Sequence, residues 1–341
     1  MKIRSASMFF LLTMVAIFAV QLSAQTPGEV ISSIPSPSSP FGLTWDGEYL
    51  WLGSYSGILY QLDSSDGSIV KQMDAPGTIA SGLAWDWRAL WVSDRDADVI
   101  DRMDPETGAV LSTLTAPESW PGGLGWDGWD LWHSNYYSPS HIYYLDHVTG
   151  DILNDFPAPQ ERGMGITWDG ISLWNADYIQ GNIHELDPVT GSVINSFASP
   201  DDSPHDLAYD GHYLWVVIGG GSNAVYQIEP GNKNVSIALN PESTLVPAGG
   251  ELVVNGSLLN HTDTAQAFTF HVDIYLPSGN PYPGNPLLGP IPLTIQPNAS
   301  PGGILRHHIP GNAPSVGYLY QAVLTQGGDV VDETSFNFEV E

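Results

Sequence analysis

Hydrophobic and polar positions along the chain follow a repeat of about forty residues. The phrase Trp45-Asp-Gly-Glu-Tyr-Leu-Trp51 returns four times in related form, and its closing tryptophan falls at 51, 91, 132, 174 and 215, with spacings of 40, 41, 42 and 41. Each unit contains four short runs that alternate like β-strands, separated by turn residues such as Asp-Gly and Asp-Pro-x-Thr-Gly. The Asp-Gly pairs predict type I′ hairpin turns, in which both central residues have positive φ. Four short strands per unit at this period predict an all-β chain with a β-propeller.

The number of units predicts five blades. The fifth unit has no fourth strand, but residues 28–37 near the start of the chain resemble residues 108–117, which form a fourth strand in the second unit. We expect this N-terminal strand to pair with the fifth blade, because that pairing closes the ring and removes an open sheet edge. The predicted propeller occupies residues 25–235.

The remaining residues, 236–341, have neither tryptophan nor the forty-residue period. They contain several alternating runs, including Phe268-Thr-Phe-His-Val-Asp-Ile-Tyr275, which are separated by turns rich in Pro and Gly. This pattern predicts a β-sandwich of immunoglobulin-like or fibronectin-like type, although no cysteine pair supports a true immunoglobulin domain.

The first 24 residues have the pattern of a secretory signal peptide. Lys2 and Arg4 precede an apolar run of 13 residues, Met8 to Val20, and the small residue Ala24 suits cleavage. The run is shorter than the ~20 residues that cross a bilayer, so we expect no membrane insertion. We expect a secreted protein, extracellular or at the cell surface, with the periplasm as an alternative.

Composition excludes several functions. The chain has 38 acidic and 9 basic residues, a formal net charge of -29, and no cysteine. Because phosphate binding depends on Lys and Arg, no nucleic-acid partner is expected. The absence of cysteine excludes thiol catalysis and thiolate metal sites. No Gly-x-Ser-x-Gly, His-Glu-x-x-His or phosphate-loop motif is present, so no catalytic residue is assigned.

The repeated tryptophans indicate packing between equivalent blades, so function is sought where the units differ. In a propeller, the loops between strands two and three and between blades share one face, and here these loops are dissimilar. Three groups of residues on this face are candidates for binding a ligand. They are His205 and Asp206, where four units have Gly instead of Asp; the strand ends Asp94, Asn135 and Asp177; and Arg162, Trp120 and Tyr136, which join Tyr55, Tyr137, Tyr178 and Arg95 as stacking groups.

Most of these candidates have a structural alternative. Asp and Asn at strand ends also cap turns, and Asp206 also suits a local hydrogen bond near the ring closure. Asp94, Asp96 and Asp98 have the spacing of a calcium loop but lack Gly at its sixth place and Glu at its twelfth. Calcium is therefore a weakly indicated cofactor, and the acidic surface is explained more simply by solubility.

The unit Gly-Leu-x-Trp-Asp-Gly-x-x-Leu-Trp, followed by Ile-x-x-Leu-Asp-Pro-x-Thr-Gly, resembles secreted bacterial propellers of the streptogramin-lyase-like and glutamine-cyclotransferase-like groups over residues 28–235. The resemblance lies in scaffold turns and packing residues and implies the fold. Streptogramin lyases have seven blades and a His-centred, magnesium-assisted site, whereas five units match here and no His set is assigned. Plant-type glutaminyl cyclases have five blades, but their acidic catalytic residue is not placed in this sequence. The tail resembles modules appended to exported bacterial surface proteins.

Three functions remain open from the sequence. The first is a non-enzymatic propeller that binds a protein, peptide or glycan through its variable face, with the sandwich as a spacer or adhesive module. The second is an enzyme of cyclotransferase or lyase type with a site at the channel mouth. The third is a structural unit of an extracellular assembly. The oligomeric state is not predicted.

Overall fold

The computed structural model describes residues 26–341 except 221, 222, 232, 263, 284, 298 and 300. The described residues contain 28 β-strands and no helix, which confirms the all-β prediction. The predicted signal peptide, residues 1–24, lies outside the described residues. Within the residues that the structure covers, no helix is long and apolar enough to cross a lipid bilayer.

The first twenty strands are short and regular. They are β1 (Val30–Pro35), β2 (Pro40–Trp45), β3 (Leu50–Ser54), β4 (Ile58–Leu62), β5 (Ile69–Asp74), β6 (Ala80–Trp85), β7 (Leu90–Asp94), β8 (Val99–Met103), β9 (Val110–Thr115) and β10 (Pro121–Trp126). They continue as β11 (Leu131–Asn135), β12 (His141–Leu145), β13 (Ile152–Pro157), β14 (Gly163–Trp168), β15 (Leu173–Asp177), β16 (Asn182–Leu186), β17 (Val193–Ala198), β18 (Pro204–Tyr209), β19 (Leu214–Ile218) and β20 (Ala224–Ile228).

These strands form five antiparallel sheets of four strands each. Four sheets contain consecutive strands, whereas the fifth has the order β1-β20-β19-β18, so the N-terminal strand completes the last sheet. The innermost strands β2, β6, β10, β14 and β18 contact one another in that order, and β18 contacts β2 again. The arrangement is propeller-like, with the inner strands in a closed circuit.

The repeated phrase is a hydrogen-bonded unit between the first two strands of each sheet. In the first sheet, Asp46 Oδ1 accepts the backbone N–H groups of Glu48 and Tyr49 at 2.9 and 2.7 Å, and Oδ2 accepts the indole N–H of Trp51 at 2.8 Å. The same Asp-to-Trp bond joins Asp86 to Trp91, Asp169 to Trp174 and Asp210 to Trp215. In these four units the phrase closes a turn and holds a buried tryptophan in place. In the third unit Asp127 closes the turn, but the indole N–H of Trp132 has no hydrogen-bond partner among the described residues.

The Asp-Gly turns differ from the predicted conformation. A type I′ turn needs positive φ at both central residues. Here the turn glycines Gly47, Gly128, Gly170 and Gly211 have φ of 103, 103, 102 and 95°, whereas the preceding Asp residues do not have positive φ. The type I′ prediction is wrong because the Asp side chain accepts the backbone N–H groups two and three residues further on, which selects another turn.

The last eight strands form two further sheets. They are β21 (Val235–Pro241), β22 (Leu245–Val246), β23 (Glu251–Asn260), β24 (Gln266–Tyr275), β25 (Leu288–Ile295), β26 (Gly302–His308), β27 (Gly317–Gln326) and β28 (Asp329–Val340). One sheet has the order β21-β23-β26 and the other β22-β28-β27-β24-β25. Val235 and Val254 of the first and Val272, Tyr320 and Phe336 of the second are buried in one hydrophobic cluster, so the two sheets share a core.

These C-terminal sheets pack on the face of the propeller-like part that carries the Asp-Gly turns. Asn240 Nδ2 donates to the Gly47 carbonyl at 2.9 Å, and Asn337 Nδ2 donates to the Gly128 carbonyl. A cavity of about 110 Å³ between the two parts is lined by the leading residues of the five phrases and by residues of β21 and β28. The C-terminal sheets therefore cover this end of the central channel.

A buried ion pair lies in this contact. The Lys233 side chain is 3% exposed, and its Nζ lies 2.6 Å from Oδ1 of Asp332 and 3.6 Å from Oδ1 of Asp169. Burial raises the pKa of Asp332 to about 6, against the opposing effect of Lys233. Removing one member of a buried ion pair leaves an unpaired charge and is strongly destabilising. This ion pair therefore fixes the C-terminal sheets on the turn between β14 and β15, which contains Asp169.

Trp87 is the second anchor of this contact. It occupies the turn position that is Gly in the other four units and has φ of 71°, in the region that favours glycine. Its ring packs 5.7 Å from the ring of Phe336 in the core of the C-terminal sheets. A non-glycine residue in this conformation costs roughly 1 kcal/mol, which the burial of an aromatic ring offsets.

We predict that Trp87→Gly, which restores the repeat residue, weakens the docking of the C-terminal sheets. The variant loses the contact with Phe336, and about 1–3 kcal/mol of stability should be lost, as for other truncations of packed aromatic groups. Small-angle scattering should give a larger radius of gyration, whereas Trp87→Phe should retain most of the contact. An unchanged radius and unchanged urea midpoint for Trp87→Gly would contradict this role.

We also predict that His133 makes the stability of the protein sensitive to acid. This residue is fully buried, and its ring nitrogens have no hydrogen-bond partner among the described residues. Burial lowers the pKa of His133 to about 4. The unfolded chain binds this proton near pH 6.5, so stability is lost as the pH falls from 6.5 towards 4, by roughly 3 kcal/mol in all. His133→Asn matches Asn175 of the next unit, and its urea midpoint should vary less between pH 7 and 4.5. An equal pH dependence in both proteins would exclude this step.

Candidate functional site

The face opposite the C-terminal sheets has one side-chain position that recurs in all five units. It directly follows the second strand of each sheet and holds Tyr55, Arg95, Tyr136, Tyr178 and Gly219. A Cβ placed on Gly219 would lie 1.8 Å from the imidazole of His205, so this ring occupies the space of the missing fifth side chain. Each unit thus contributes one large group around the channel mouth.

Four of these groups and Phe41 of the first unit form a closed circuit, here called the mouth ring: Phe41, His205, Tyr178, Tyr136 and Arg95. Ring centroids are 4.7 Å apart from Phe41 to His205, 5.3 Å from His205 to Tyr178 and 6.2 Å from Tyr178 to Tyr136. The guanidinium carbon of Arg95 lies 4.7 Å from the centroid of Tyr136 and 5.6 Å from that of Phe41, which closes the circuit. Cation–π and aromatic contacts therefore connect all the units at this end.

Exposed aromatic side chains flank the mouth ring. Trp120, 38% exposed, lies 4.0 Å from the Arg95 guanidinium carbon and packs against Tyr137, which is 45% exposed. Tyr55, 51% exposed, lies 5.8 Å from Phe41. Large exposed aromatic groups that surround a cation are typical of a binding surface rather than of a packed core.

The two arginines of this face share one tyrosine. The guanidinium carbon of Arg162 lies 5.1 Å from the Tyr136 centroid, and Nη1 donates to the Tyr136 hydroxyl at 3.1 Å. Arg95 is 7% exposed. Burial lowers the pKa of Arg95, but an arginine remains charged at neutral pH. The mouth therefore combines two positive charges with aromatic surface.

His205 lies in the mouth ring as a neutral group. Its Nδ1 is 3.0 Å from the Pro40 carbonyl, which only accepts, so Nδ1 carries the hydrogen and Nε2 retains its lone pair. Burial lowers the pKa of His205, and the positive charge of Arg95 acts in the same direction. This geometry offers one hydrogen-bond acceptor, Nε2, beside two aromatic rings.

Asp206 points into the axis of the circuit rather than to the mouth, and it is fully buried. Oδ2 accepts the N–H of Leu43 at 2.8 Å, and Oδ1 accepts those of Ile166 and Leu207 at 3.2 and 2.9 Å. Burial raises the pKa of Asp206 well above its usual value, against the opposing effect of these donors and of the Leu83 N–H. The carboxylate joins four inner strands and has a structural role in this geometry.

The axial glycines leave room for that carboxylate. A Cβ on Gly165 would lie 2.3 Å from the Asp206 Cα, and one on Gly82 would lie 2.1 Å from the Gly122 carbonyl oxygen. Four units therefore have Gly at this position because the inner strands approach closely, and the fifth supplies the side chain that fills the axis.

The strand-end candidates Asp94, Asn135 and Asp177 cap their own loops. Asp94 Oδ1 accepts the N–H groups of Asp96 and Ala97 at 3.1 and 3.3 Å. Asn135 Oδ1 accepts the N–H of His141, and Asp177 Oδ1 accepts those of Ile179 and Gln180. All three side chains are buried, so they shape the loops that carry the mouth ring.

The predicted calcium group is dispersed. Asp96 Oδ2 accepts the Thr78 hydroxyl, and Asp98 accepts the Ser119 hydroxyl at 2.9 Å and the Trp120 N–H at 2.8 Å. Among the described residues, no group of three or more His, Cys, Asp or Glu side chains is placed to hold a metal ion. The spacing that suggested calcium therefore gains no support from the arrangement of these carboxylates.

Phe41 is the mouth residue that sequence reasoning missed. It precedes Gly42 as His205 precedes Asp206, so an alignment of the units puts these two rings in one column. The other units have Ser81, Gly122 and Met164 there, and this variation between large and small residues was the available signal.

Comparisons with known proteins support the fold. No family model and no curated protein matches the sequence. Among solved structures, the glutaminyl cyclase of Myxococcus xanthus is similar at a TM-score of 0.52 and 13% identity, over 61% of this chain and 98% of the cyclase. At this identity the likeness shows the propeller-like fold and not the activity.

Two further solved structures are similar at lower scores. A chain of a mitotic checkpoint complex has a TM-score of 0.42 and 12% identity, over 65% of this chain and 98% of its own. The computationally designed Ika8 protein has a TM-score of 0.37 and 14% identity, over 56% and 58% of the two chains.

The axial hydrogen bonds predict the effect of Asp206→Asn. The substituted amide would place N–H donors against the backbone N–H groups that Asp206 accepts, so the free energy of unfolding should fall by about 2–4 kcal/mol. Urea denaturation followed by tryptophan fluorescence measures this change. Asp201→Asn, at an exposed position beside the same strand, is the matched control and should leave the midpoint unchanged. Equal midpoints for the two variants would show that Asp206 does not hold the axis.

Proposed function

We propose that the chain is an exported binding protein that recognises its ligand through the mouth ring and its exposed aromatic neighbours. In this proposal residues 25–235 form a five-bladed propeller closed by the N-terminal strand, and residues 236–341 form an immunoglobulin-like or fibronectin-like sandwich. The observation that carries the proposal is the placement of dissimilar large side chains from all five units around one channel end. Packing alone would favour equivalent residues at equivalent positions, as in the repeated phrase.

The position of the C-terminal sheets supports the choice of face. Asn240, Asp332 and Phe336 of these sheets contact Gly47, Lys233 and Trp87, so the sheets cover the other end of the channel. A module attached there acts as a rigid base and keeps the aromatic mouth accessible. The acidic composition suits an exported, soluble protein.

The exposed aromatic groups define how the ligand is held. Trp120 and Tyr137 pack at an interplanar angle of 59°, and Tyr55 and Phe41 at 49°. Trp120 also stacks on Tyr136 at 17°, so the rings of this face have different orientations and do not present one flat surface to a ligand. We infer that the ligand inserts a group between the rings.

The proposal predicts that Trp120→Ala weakens ligand binding. Truncating an exposed aromatic anchor at the centre of a binding surface typically weakens affinity by about 2 kcal/mol, close to 30-fold. Peptide and oligosaccharide arrays probed with the labelled protein measure the effect. Trp129 is also 38% exposed but lies on the Asp-Gly face, so Trp129→Ala is the matched control and should retain binding.

Three results would contradict this function. An unchanged affinity of Trp120→Ala would place the site elsewhere. Turnover of a glutaminyl peptide, followed by mass spectrometry and lost in His205→Ala, would favour the enzyme alternative. Concentration-dependent growth of a regular assembly in light scattering, without ligand binding, would favour the structural alternative.

A further inference from the structure

The basic residues divide sharply between those with and those without an acidic partner. Within the described part of the chain, five of the seven Lys and Arg residues have a carboxylate oxygen within 4 Å: Lys71, Arg88, Arg102, Lys233 and Arg306. Arg95 and Arg162 do not, and both lie at the channel mouth. In a chain with 38 acidic residues, two arginines that contact the same tyrosine ring and have no carboxylate oxygen within 4 Å are the exception.

Arg95 is the more informative of the two. This residue is 7% exposed. Its guanidinium carbon lies 4.0, 4.7 and 5.6 Å from the ring centroids of Trp120, Tyr136 and Phe41. Ring faces attract a cation but supply no acceptor oxygen for its five N–H donors. The Arg95 nitrogens are not among the fully enclosed polar atoms that lack a partner, and Asp96 acts on the guanidinium from beyond 4 Å, so these N–H donors are accessible to an anionic group at the mouth.

We propose that Arg95 and Arg162 bind a carboxylate of the ligand, and that the ligand is a peptide with a free C-terminal carboxylate. The planar guanidinium matches a carboxylate through two parallel N–H···O bonds. The carboxylate supplies the counter-charge at Arg95, and the last side chain of the peptide lies against Trp120 and Tyr137. This inference rests on the proposed function and specifies its ligand.

The surrounding charge favours a single carboxylate over a polyanion. Exposed acidic residues occupy the neighbouring loops of the same face: Asp96, Glu118, Glu161, Asp201 and Asp202. A polyuronate chain carries a carboxylate on every sugar and would meet these side chains with like charge. A neutral or basic peptide places its one carboxylate at the arginines and its body along the acidic loops.

The test compares free and blocked C-termini. Peptides that end in each of the twenty amino acids are presented both as free acids and as amides, to the wild-type protein and to Arg95→Gln, Arg162→Gln and Arg306→Gln. Wild-type protein should bind the preferred free acids about 20-fold more tightly than their amides, which is the scale of a charge-assisted hydrogen bond. Arg95→Gln should abolish this preference, Arg162→Gln should reduce it, and Arg306→Gln, at the distant ion pair with Glu251, should leave it intact.

Each contrary result has a different consequence for the carboxylate site and for the proposed function. Equal binding of acids and amides that still requires Trp120 would overturn the carboxylate site and leave the proposed function standing. Arginine-dependent binding of trigalacturonate without peptide binding would replace the peptide by an acidic sugar. Binding of neither probe would overturn both this inference and the proposed function. Far-ultraviolet circular dichroism of each variant separates lost binding from lost folding, and Arg162→Gln serves as the test if Arg95→Gln is unfolded.

Discussion

The carboxylate of Asp206 is the constraint on which the arrangement of the inner strands depends. These strands approach so closely that four units have Gly at the axial position, and the backbone N–H groups of Leu43 and Ile166 point at the Asp206 side chain. One side chain from the fifth unit accepts hydrogen bonds from Leu43, Ile166 and Leu207 and so joins strands that are far apart in sequence. The exception to the repeat is thus the residue that joins the inner strands of different units.

Sequence reasoning predicted the scaffold because its signals are local and repeated. The period of the tryptophans, the strands between them and the pairing of the N-terminal strand follow from the pattern of apolar positions and from the need to cover a sheet edge. The role of Trp87 was not predicted, although its place in a glycine column was visible, because the C-terminal core that receives its ring is distant in sequence. Asp206 was recognised as exceptional, but its direction depends on how closely the inner strands approach, which composition does not reveal.

For the candidate site, the sequence indicated which residues lie on this face but not where their side chains point. Trp120, Tyr136, Arg162 and His205 lie together at the mouth, whereas Asp94, Asn135 and Asp177 are buried caps of the loops beside them. The difference is physical. Asp and Asn at strand ends satisfy backbone N–H groups within their own loops, and this local hydrogen bond forms whatever the ligand is. Aromatic and guanidinium groups have no such local partner, so they extend to one another across the units.

The two ends of the channel show how an acidic chain uses its few cations. At the covered end, Lys233 lies between Asp169 and Asp332, and its charge is neutralised within the molecule. At the mouth, the cations contact ring faces, which stabilise a positive charge without neutralising it. The rings hold the Arg95 side chain in place, and a partly buried charge acts more strongly on its surroundings than a fully solvated one. The two ends therefore differ in the charge that they leave open: the ion pair of Lys233 is complete within the molecule, whereas Arg95 and Arg162 have no carboxylate oxygen within 4 Å among the described residues, and the proposed recognition of an anionic group rests on that difference.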